Sequence, residues 1–536
     1  MLTSMRSFFE RIRWPEFCDH VVVFVFASSL YAAVLYNTGI HTSFMQVLVG
    51  LAILLAIGIY GYKSRAEWRT AILAIVFIAV VLFACGFLRE FSYDGLNYHS
   101  AVALALDAQT SGISGVHEIR GMFWAEHYPK AFEFFAYTAH VLTTRFNSGK
   151  SFTLLLSVPA LVCLMQVFRC ARYSSKTALA AAVACVYNPV AFGQLTTLYV
   201  DAAHYYCWTV FSVNLLLAVA KRPYSAVQLG GALVLLIASK MTGPVFVAVS
   251  ILVIFVAALV TQDRNDFLKR HWKVFGHIAL WSVVAVFVVG YSPYMQNVLA
   301  GKHIFYPILG EGKIDIITGQ ASPRFLGMNP LHRLVLSYFS VPANCSACVA
   351  AEPTFVLSKE HLRDAFIALH TADTRFSGFG PFFGVMLILG VIAVFGRKKD
   401  TNIVRIYLLT TLAIVLVHPQ SWWARYVPML YTVPFLAAAA FSNSRRILHG
   451  IIALALLNSL LAAASVAGYI IVKQSHYGNA VASVRDLCAQ RPLTLPPSEL
   501  NWQFDLRDDN FQMTTNGAAA QSECRVNFDQ LMILKK

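Results

Sequence analysis

Apolar residues dominate this chain in runs of roughly twenty, separated by short polar and often basic interruptions. Coiled as an α-helix, a run of that length matches the ~30 Å hydrocarbon thickness of a bilayer. Such runs stand at 18–38, 44–62, 70–88, 150–169, 177–193, 203–220, from about 226 to Ser239, and at 244–261, 274–290, 379–396, 402–418, 426–442 and 447–472. The pattern predicts an all-α polytopic membrane protein of about thirteen transmembrane helices, with no internal repeat.

The interruptions give the orientation. Positive charge gathers at Lys63-Ser64-Arg65-Ala66-Glu67-Trp68-Arg69, at Arg169, Arg172 and Lys176, at Lys221-Arg222, at 263–273, at Arg397-Lys398-Lys399 and at Arg445-Arg446, which places these turns inside. Arg6, Arg11 and Arg13 precede the first run, and further spans follow at once, so a retained first helix is expected rather than a cleaved signal. The outer segments are then 37–43, 89–149, 194–201, Ser239-Lys240, 291–378, 418–425 and 473–536. The apolar stretch 131–146 cannot cross on this count. It is expected as an interfacial or half-embedded helix on the outer face, in keeping with its Glu133, His140 and Arg145. The expected division is 1–88, N-terminal transmembrane helices; 89–149, first periplasmic loop; 150–290, transmembrane helices; 291–378, long periplasmic loop; 379–472, C-terminal transmembrane helices; and 473–536, a small C-terminal periplasmic domain.

Composition agrees: 57% of the 536 residues are hydrophobic and 13% charged, too little charge to cover a soluble protein of this size. The net charge of +15 resides largely in the inside turns, so it calls for no nucleic-acid partner. Cys345, Cys348, Cys488 and Cys524 fall outside and are disulfide candidates, Cys488 with Cys524 above all. The lone Cys345-x-x-Cys348 lacks the second pair that zinc requires.

The same map collects unusual chemistry on the outer face. Asp94, Asn97, Tyr98 and His99 lie at the mouth of the third helix, and Trp124-Ala125-Glu126-His127-Tyr128-Pro129-Lys130 follows. Tyr199, Asp201, Lys240, Asp373-Thr374-Arg375 and Trp422-Trp423-Ala424-Arg425-Tyr426 complete the set. Singly, each has an ordinary reading, because aromatics belt an interface, Lys and Arg snorkel to it and Asp caps helices. Together, acids and cations recur at successive helix mouths on the face where positive charge is sparse, and a carboxylate there is costly enough to mark function. Such a face suits a substrate that is half lipid and half polar. Arg425, Lys240 and Arg375 would hold a lipid phosphate, Arg through its planar fork and Lys as a point charge. Tyr98, Asn97, Glu126, His127, Asp201, Trp422, Trp423 and Tyr426 would contact the substrate, the tryptophans flanking a prenyl chain or stacking on a sugar. Asp94 would take the proton of an acceptor hydroxyl as that oxygen attacks an anomeric carbon. A departing lipid phosphate is stable as an anion, so the acid-and-base pair of glycoside hydrolysis is unnecessary.

Tyr93-Asp94-Gly95-Leu96-Asn97-Tyr98-His99, followed by His127-Tyr128-Pro129 opening a helix, resembles the GT-C superfamily of integral-membrane glycosyltransferases. Ser239-Lys240-Met241-Thr242-Gly243, Pro293-Tyr294 with Phe305-Tyr306-Pro307, Ser377-Gly378-Phe379-Gly380-Pro381 and Pro419-Gln420-Ser421-Trp422-Trp423-Ala424-Arg425-Tyr426 are similar to segments of bacterial members. The resemblance covers roughly 70–440. It implies a GT-C-like helix arrangement in a bacterial inner membrane with the active site facing the periplasm. It also implies inverting transfer from a polyprenyl monophosphate sugar to a hydroxyl of an envelope glycan or lipid. Asp94 would be the catalytic base, with His99 as its catalytic neighbour. No cofactor is implied, and no metal is expected, since the divalent cation belongs with pyrophosphate donors. Many members carry two adjacent acids where this chain has Asp94 and then Gly95. Whether Glu126 or Asp201 assists, or Asp94 acts alone with His99 orienting it, stays open at this point. A lipid-linked-sugar flippase is the first alternative, although transporters show repeated halves and polar residues at the midplane. An O-antigen ligase or polymerase is the second, with His303, Arg324 and His332 in the late outer loop as its candidate residues.

Overall fold

The computed structural model describes residues 12–39, 48, 51–52, 67–111, 121–261, 264–315, 321–325, 327–343, 363, 366–371, 373–398, 401–488, 491–496, 502–513 and 524–533. It is helical throughout, apart from a two-residue parallel strand pair, Leu493–Thr494 with Cys524–Arg525. Among the described residues, seven helices are long and apolar enough to cross a membrane: Trp14–Thr38, Trp68–Gly86, Phe146–Cys170, Asp201–Val219, Gly243–Val260, His271–Val289 and Arg445–Cys488. Shorter apolar helices span Ser175–Val186, Ala226–Ile237, Phe383–Val394, Asn402–Val417 and Pro428–Phe441. Each falls on an expected span. The one expected at 44–62 lies outside the described residues, as do Cys345 and Cys348.

The apolar faces divide as a bilayer requires. Ile72, Ile75, Val76, Val80 and Phe83 form an exposed stripe along one helix, and Leu252, Val256 and Val260 form another. These stripes have the chemistry of lipid-facing surface. The Asp201–Val219 helix is instead buried along its whole length. Several of its polar groups find partners within the protein, as an apolar interior favours: Ser212 Oγ donates to the Trp208 carbonyl at 2.7 Å, Asn214 Nδ2 to the Val210 carbonyl at 2.8 Å, and Trp208 Nε1 to Ser250 Oγ at 3.0 Å.

This helix also separates two chemically different ends. At its C-terminal end, Arg222 Nη1 lies 3.6 Å from Cys170 Sγ and Lys398 Nζ sits 4.1 Å from the Tyr173 ring centroid, so three basic turns meet there. At its N-terminal end, Asp201 meets Lys240. Nineteen residues of helix span about 28 Å, close to the thickness of a hydrocarbon layer.

The Ala131–Thr143 helix has 13 residues and is about 20 Å long, too short to cross. Both of its ends meet the Asp94 side: Ala131 N donates to the Ala238 carbonyl at 2.9 Å, and the turn after it packs Ser148 against Gly86. Of the two expected positions, interfacial or half-embedded, the burial of Ala131 through Ala139 favours the second. Phe135 packs edge-on to Phe24, Phe132 stacks on Phe152 at 4.6 Å, and Thr138 Oγ1 donates to the Ser28 carbonyl at 3.0 Å. The apolar residues circle this helix rather than lining one face, which inserts it among the spans.

The boundary expected at 472/473 falls within a helix. Arg445–Cys488 is one unbroken helix of 44 residues, about 66 Å, far longer than a bilayer core. Its last turns carry Tyr477, Val484 and Cys488 into a separate apolar cluster with Trp502, Leu506 and Phe528. The Cys488–Cys524 disulfide closes this unit, with Cα atoms 5.3 Å apart.

Candidate active site

The loop carrying Asp94 is shaped by a buried acid. Glu90 is fully buried, and its carboxylate accepts the backbone N–H groups of Ser92 at 2.7 Å and Leu198 at 2.6 Å. Burial pushes its carboxyl up, with Lys150 and these donors pulling back. A Cβ at position 95 would lie 2.7 Å from Glu90 Oε1 and would also crowd Ser92 Oγ. The glycine after Asp94 therefore makes room for Glu90, and a second acid at that position does not fit. The chain then enters a wide π-type turn, Gly95–His99, which sets Asn97, Tyr98 and His99 beside Asp94.

Asp94 meets Arg425 across 331 residues of sequence: Arg425 Nη1 donates to Asp94 Oδ2 at 2.9 Å. Arg425 sits on the 3₁₀ turn Ala424–Tyr426, with Asp373 Oδ1 3.3 Å from its Nε. Burial opposes the charge of Arg425, and Asp373, Tyr426 and Asp94 more than offset that, so it stays a cation. Lys240 Nζ pairs with Asp201 Oδ1, while Gln194 Nε2 donates to Asp201 Oδ2 at 3.0 Å.

Aromatic faces surround these cations. Arg375 and Arg425 lie with Cζ 4.8 and 4.9 Å from the Trp423 ring, Arg425 lies 5.2 Å from Tyr199, and Lys240 Nζ lies 4.7 Å from Tyr426. Ring quadrupoles hold cations in place without neutralising them. Burial, with Asp94 adding to it, pushes the Tyr98 and Tyr199 phenols well up, so both stay protonated as hydrogen-bond donors. His418, stacked on Tyr426, is driven down to about 3 by burial and by Lys240, and is neutral at ordinary pH.

These groups line a cavity of about 1130 Å³, above the usual range for small-molecule sites. Asp94, Asn97, Tyr98, His99, Asp201, Lys240, Arg375, Trp423, Arg425 and Tyr426 all contribute to its wall. Several expected roles change. His99 does not orient Asp94: its Nδ1 bonds Glu133 Oε1 at 2.5 Å, within a buried pair. Glu126 and His127 are absent from the wall; His127 packs edge-on to Tyr306 at 5.0 Å. Glu126 offers its backbone carbonyl to the buried Lys130 ammonium at 3.0 Å. Trp422 stands behind the wall, in an apolar cluster with Phe325 and Phe376, its Nε1 donating to Gln420 Oε1 at 2.6 Å. Lys240 and Asp201 were expected to act separately and instead neutralise each other.

Sequence reasoning passed over Asp373 as a site residue, although it borders Arg375, and it missed Glu133. The cue for Glu133 was an acid inside an otherwise apolar helix. Among the described residues, no group of three or more His, Cys, Asp or Glu side chains is placed to hold a metal ion.

Chemically, the site offers in Asp94 a carboxylate with one oxygen anchored by Arg425 and the other without a hydrogen bond among the described residues, a row of cations on aromatic faces, and neutral phenols. No family model matches the chain, and no curated protein matches it. Among solved structures, it is similar to the crystal structure of ArnT from Cupriavidus metallidurans bound to undecaprenyl phosphate, with a TM-score of 0.44 and 13% identity over 88% of this chain and 89% of that one. It is also similar to the apo state of the same protein, with a TM-score of 0.41 and 13% identity over 85% of this chain and 87% of that one.

Proposed function

We propose that this chain is a membrane glycosyltransferase that moves a sugar from a polyprenyl monophosphate donor to a hydroxyl of an envelope glycan or lipid, with inversion, on the outer face of a bacterial inner membrane. The observation that carries the reading is the state of Asp94. Arg425 holds one of its oxygens, the other makes no hydrogen bond among the described residues, and the residue lines a cavity of about 1130 Å³, roomy enough for a lipid-linked sugar and its acceptor. In the reaction, the acceptor O–H proton passes to the unbonded oxygen of Asp94. The acceptor oxygen forms a bond to the anomeric carbon, and the bond from that carbon to the phosphate oxygen breaks. The lipid phosphate leaves with the bonding electrons, its charge met by Arg425 and Arg375. Tyr98 and Tyr199 donate hydrogen bonds to the sugar or the phosphate, and Trp423 and Tyr426 keep the cations aimed.

The test is transfer of radiolabelled sugar from the native polyprenyl-phosphate pool in membranes, comparing wild type with Asp94→Asn. Loss of labelled glycan with accumulation of the lipid donor supports the enzyme. Near-normal turnover in the variant removes Asp94 as the base. Labelled glycan that still forms while the donor stays on the inner leaflet replaces the enzyme with a flippase.

A further inference from the structure

The guanidinium of Arg425 meets three partners of unequal quality. Its Nη1 makes a good 2.9 Å hydrogen bond to Asp94. Its Nε–Nη2 edge is the fork that grips a phosphate through two parallel bonds. That edge is poorly filled: Nε lies 3.3 Å from Asp373 Oδ1, and Nη2 lies 3.4 Å from the Tyr426 hydroxyl. Among the described residues, neither Arg425 Nε nor Asp373 Oδ1 makes a hydrogen bond, although both are buried. The charges are close, but their directions miss. The other oxygen of Asp373 reaches Arg375 Nη2 only at 3.6 Å. Burial pushes the Asp373 carboxyl up while Arg425 pulls it back, as expected for a charge whose lost hydration has not been replaced by hydrogen bonds.

Two features let this pair separate. The turn bearing Asp373 is held by bonds that spare its carboxylate: Asp373 N donates to Thr371 Oγ1 at 3.1 Å, Thr374 Oγ1 to the Ala368 carbonyl at 2.9 Å, and Ala343 bridges Phe376. The two guanidiniums rest on the Trp423 ring, so they keep their places without the carboxylate between them.

Resting on the glycosyl-transfer reading, we propose that Asp373 is a built-in stand-in for the donor's phosphate, occupying the fork of Arg425 in the empty site and giving it up when phosphate oxygens arrive. Only ion pairs exchange in this step. Phosphate oxygens accept from Nε and Nη2, Asp373 withdraws from that edge, and Nη1 keeps Asp94 in position throughout. The acid thus balances the cations between turnovers and sets how tightly the lipid phosphate is held.

The experiment is direct binding of undecaprenyl phosphate to the full chain in lipid nanodiscs, which needs no turnover. Asp373→Asn removes the competing charge and is expected to bind about tenfold more tightly than wild type. Asp373→Glu restores the charge and returns binding to near wild type. Asp373→Ser is measured alongside, so that poor accumulation of one variant does not decide the matter. Equal or weaker binding in the charge-removing variants overturns the proposal, because a merely structural ion pair would loosen the site when broken. If wild type and Arg425→Ala bind alike, the donor site itself is wrong, a failure distinct from that of the stand-in.

Discussion

Two arginine–carboxylate networks among the described residues are built to different standards. At the cavity, Arg425 has one good bond to Asp94 and loose contacts to Asp373 and Tyr426. Behind the same loop, Arg89 Nη1 bonds Asp505 at 2.9 Å and reaches Asp508 at 3.4 Å, while its Nη2 bonds Asp509 at 3.0 Å. There, secondary partners fill more of the geometry, although the buried Asp505 Oδ2 makes no hydrogen bond among the described residues. Asn147 Nδ2 donates to Asp505 at 2.6 Å, the Tyr477 hydroxyl to Asp509 at 2.7 Å, and nearby Arg507 pairs with Asp107 at 2.8 Å. The Arg89 network is a closed clamp that fastens the C-terminal unit to the segment leading into Asp94. The Arg425 network keeps a fork available. Residue types alone do not separate a structural ion pair from a substrate-ready one; bond direction does.

Breaking each network should produce a different kind of failure. The largest effect is expected from Asp94→Asn, which removes the proton acceptor and should slow transfer by about 10²- to 10⁴-fold while lipid phosphate binding persists; the radiolabel assay reads the first and nanodisc binding the second. Arg89→Leu should lower folding stability by about 3–5 kcal/mol, because it strands the fully buried Asp505 carboxylate. Limited proteolysis should then cut the C-terminal unit, and an uncut variant would show that the clamp holds nothing. Arg425→Ala should weaken lipid phosphate binding by about 100-fold, and Arg425→Lys should recover only part, since an ammonium lacks the fork.

The smallest effect concerns pH. Burial raises the Asp508 carboxyl from 3.8 to about 6, against the pull of nearby Arg89 and Arg145, with Asp505 and Asp509 adding to the rise. The folded chain therefore holds this proton where the unfolded chain has released it, so stability falls as pH climbs from about 4 to about 6. A melting-temperature profile should show that decline in wild type, and Asp508→Asn should flatten it.

Much of the architecture was readable because apolar runs of bilayer length have few alternative uses. Asp94 and Arg425 were conspicuous for the same reason: a charge at a helix mouth stands out against an apolar background. Their pairing was not readable, because it depends on which mouths adjoin in space. Glu126 and His127 looked equivalent to Tyr98 in a polar stretch, yet a helical turn aims them away from the cavity. Trp422 and Trp423 are neighbours in sequence, but one stands behind the wall and the other on it. The clamp was missed because Asp505, Asp508 and Asp509 resemble the solvated acids of any tail, and only contact with Arg89 gives them a purpose. Glu90 left one trace in the sequence, the glycine at position 95, which the family pattern presented as a missing acid.

The clamp also has a direction in time. Arg89 leaves the ribosome 416 residues ahead of Asp505, its best-bonded partner. During synthesis the segment leading into Asp94 has no clamp until the long Arg445–Cys488 helix has been inserted and the unit beyond it has folded. A chain halted between residues 425 and 505 would carry Asp94 and Arg425 but not Asp505. Assembly of the Asp94 segment thus waits on an element translated 416 residues after Arg89.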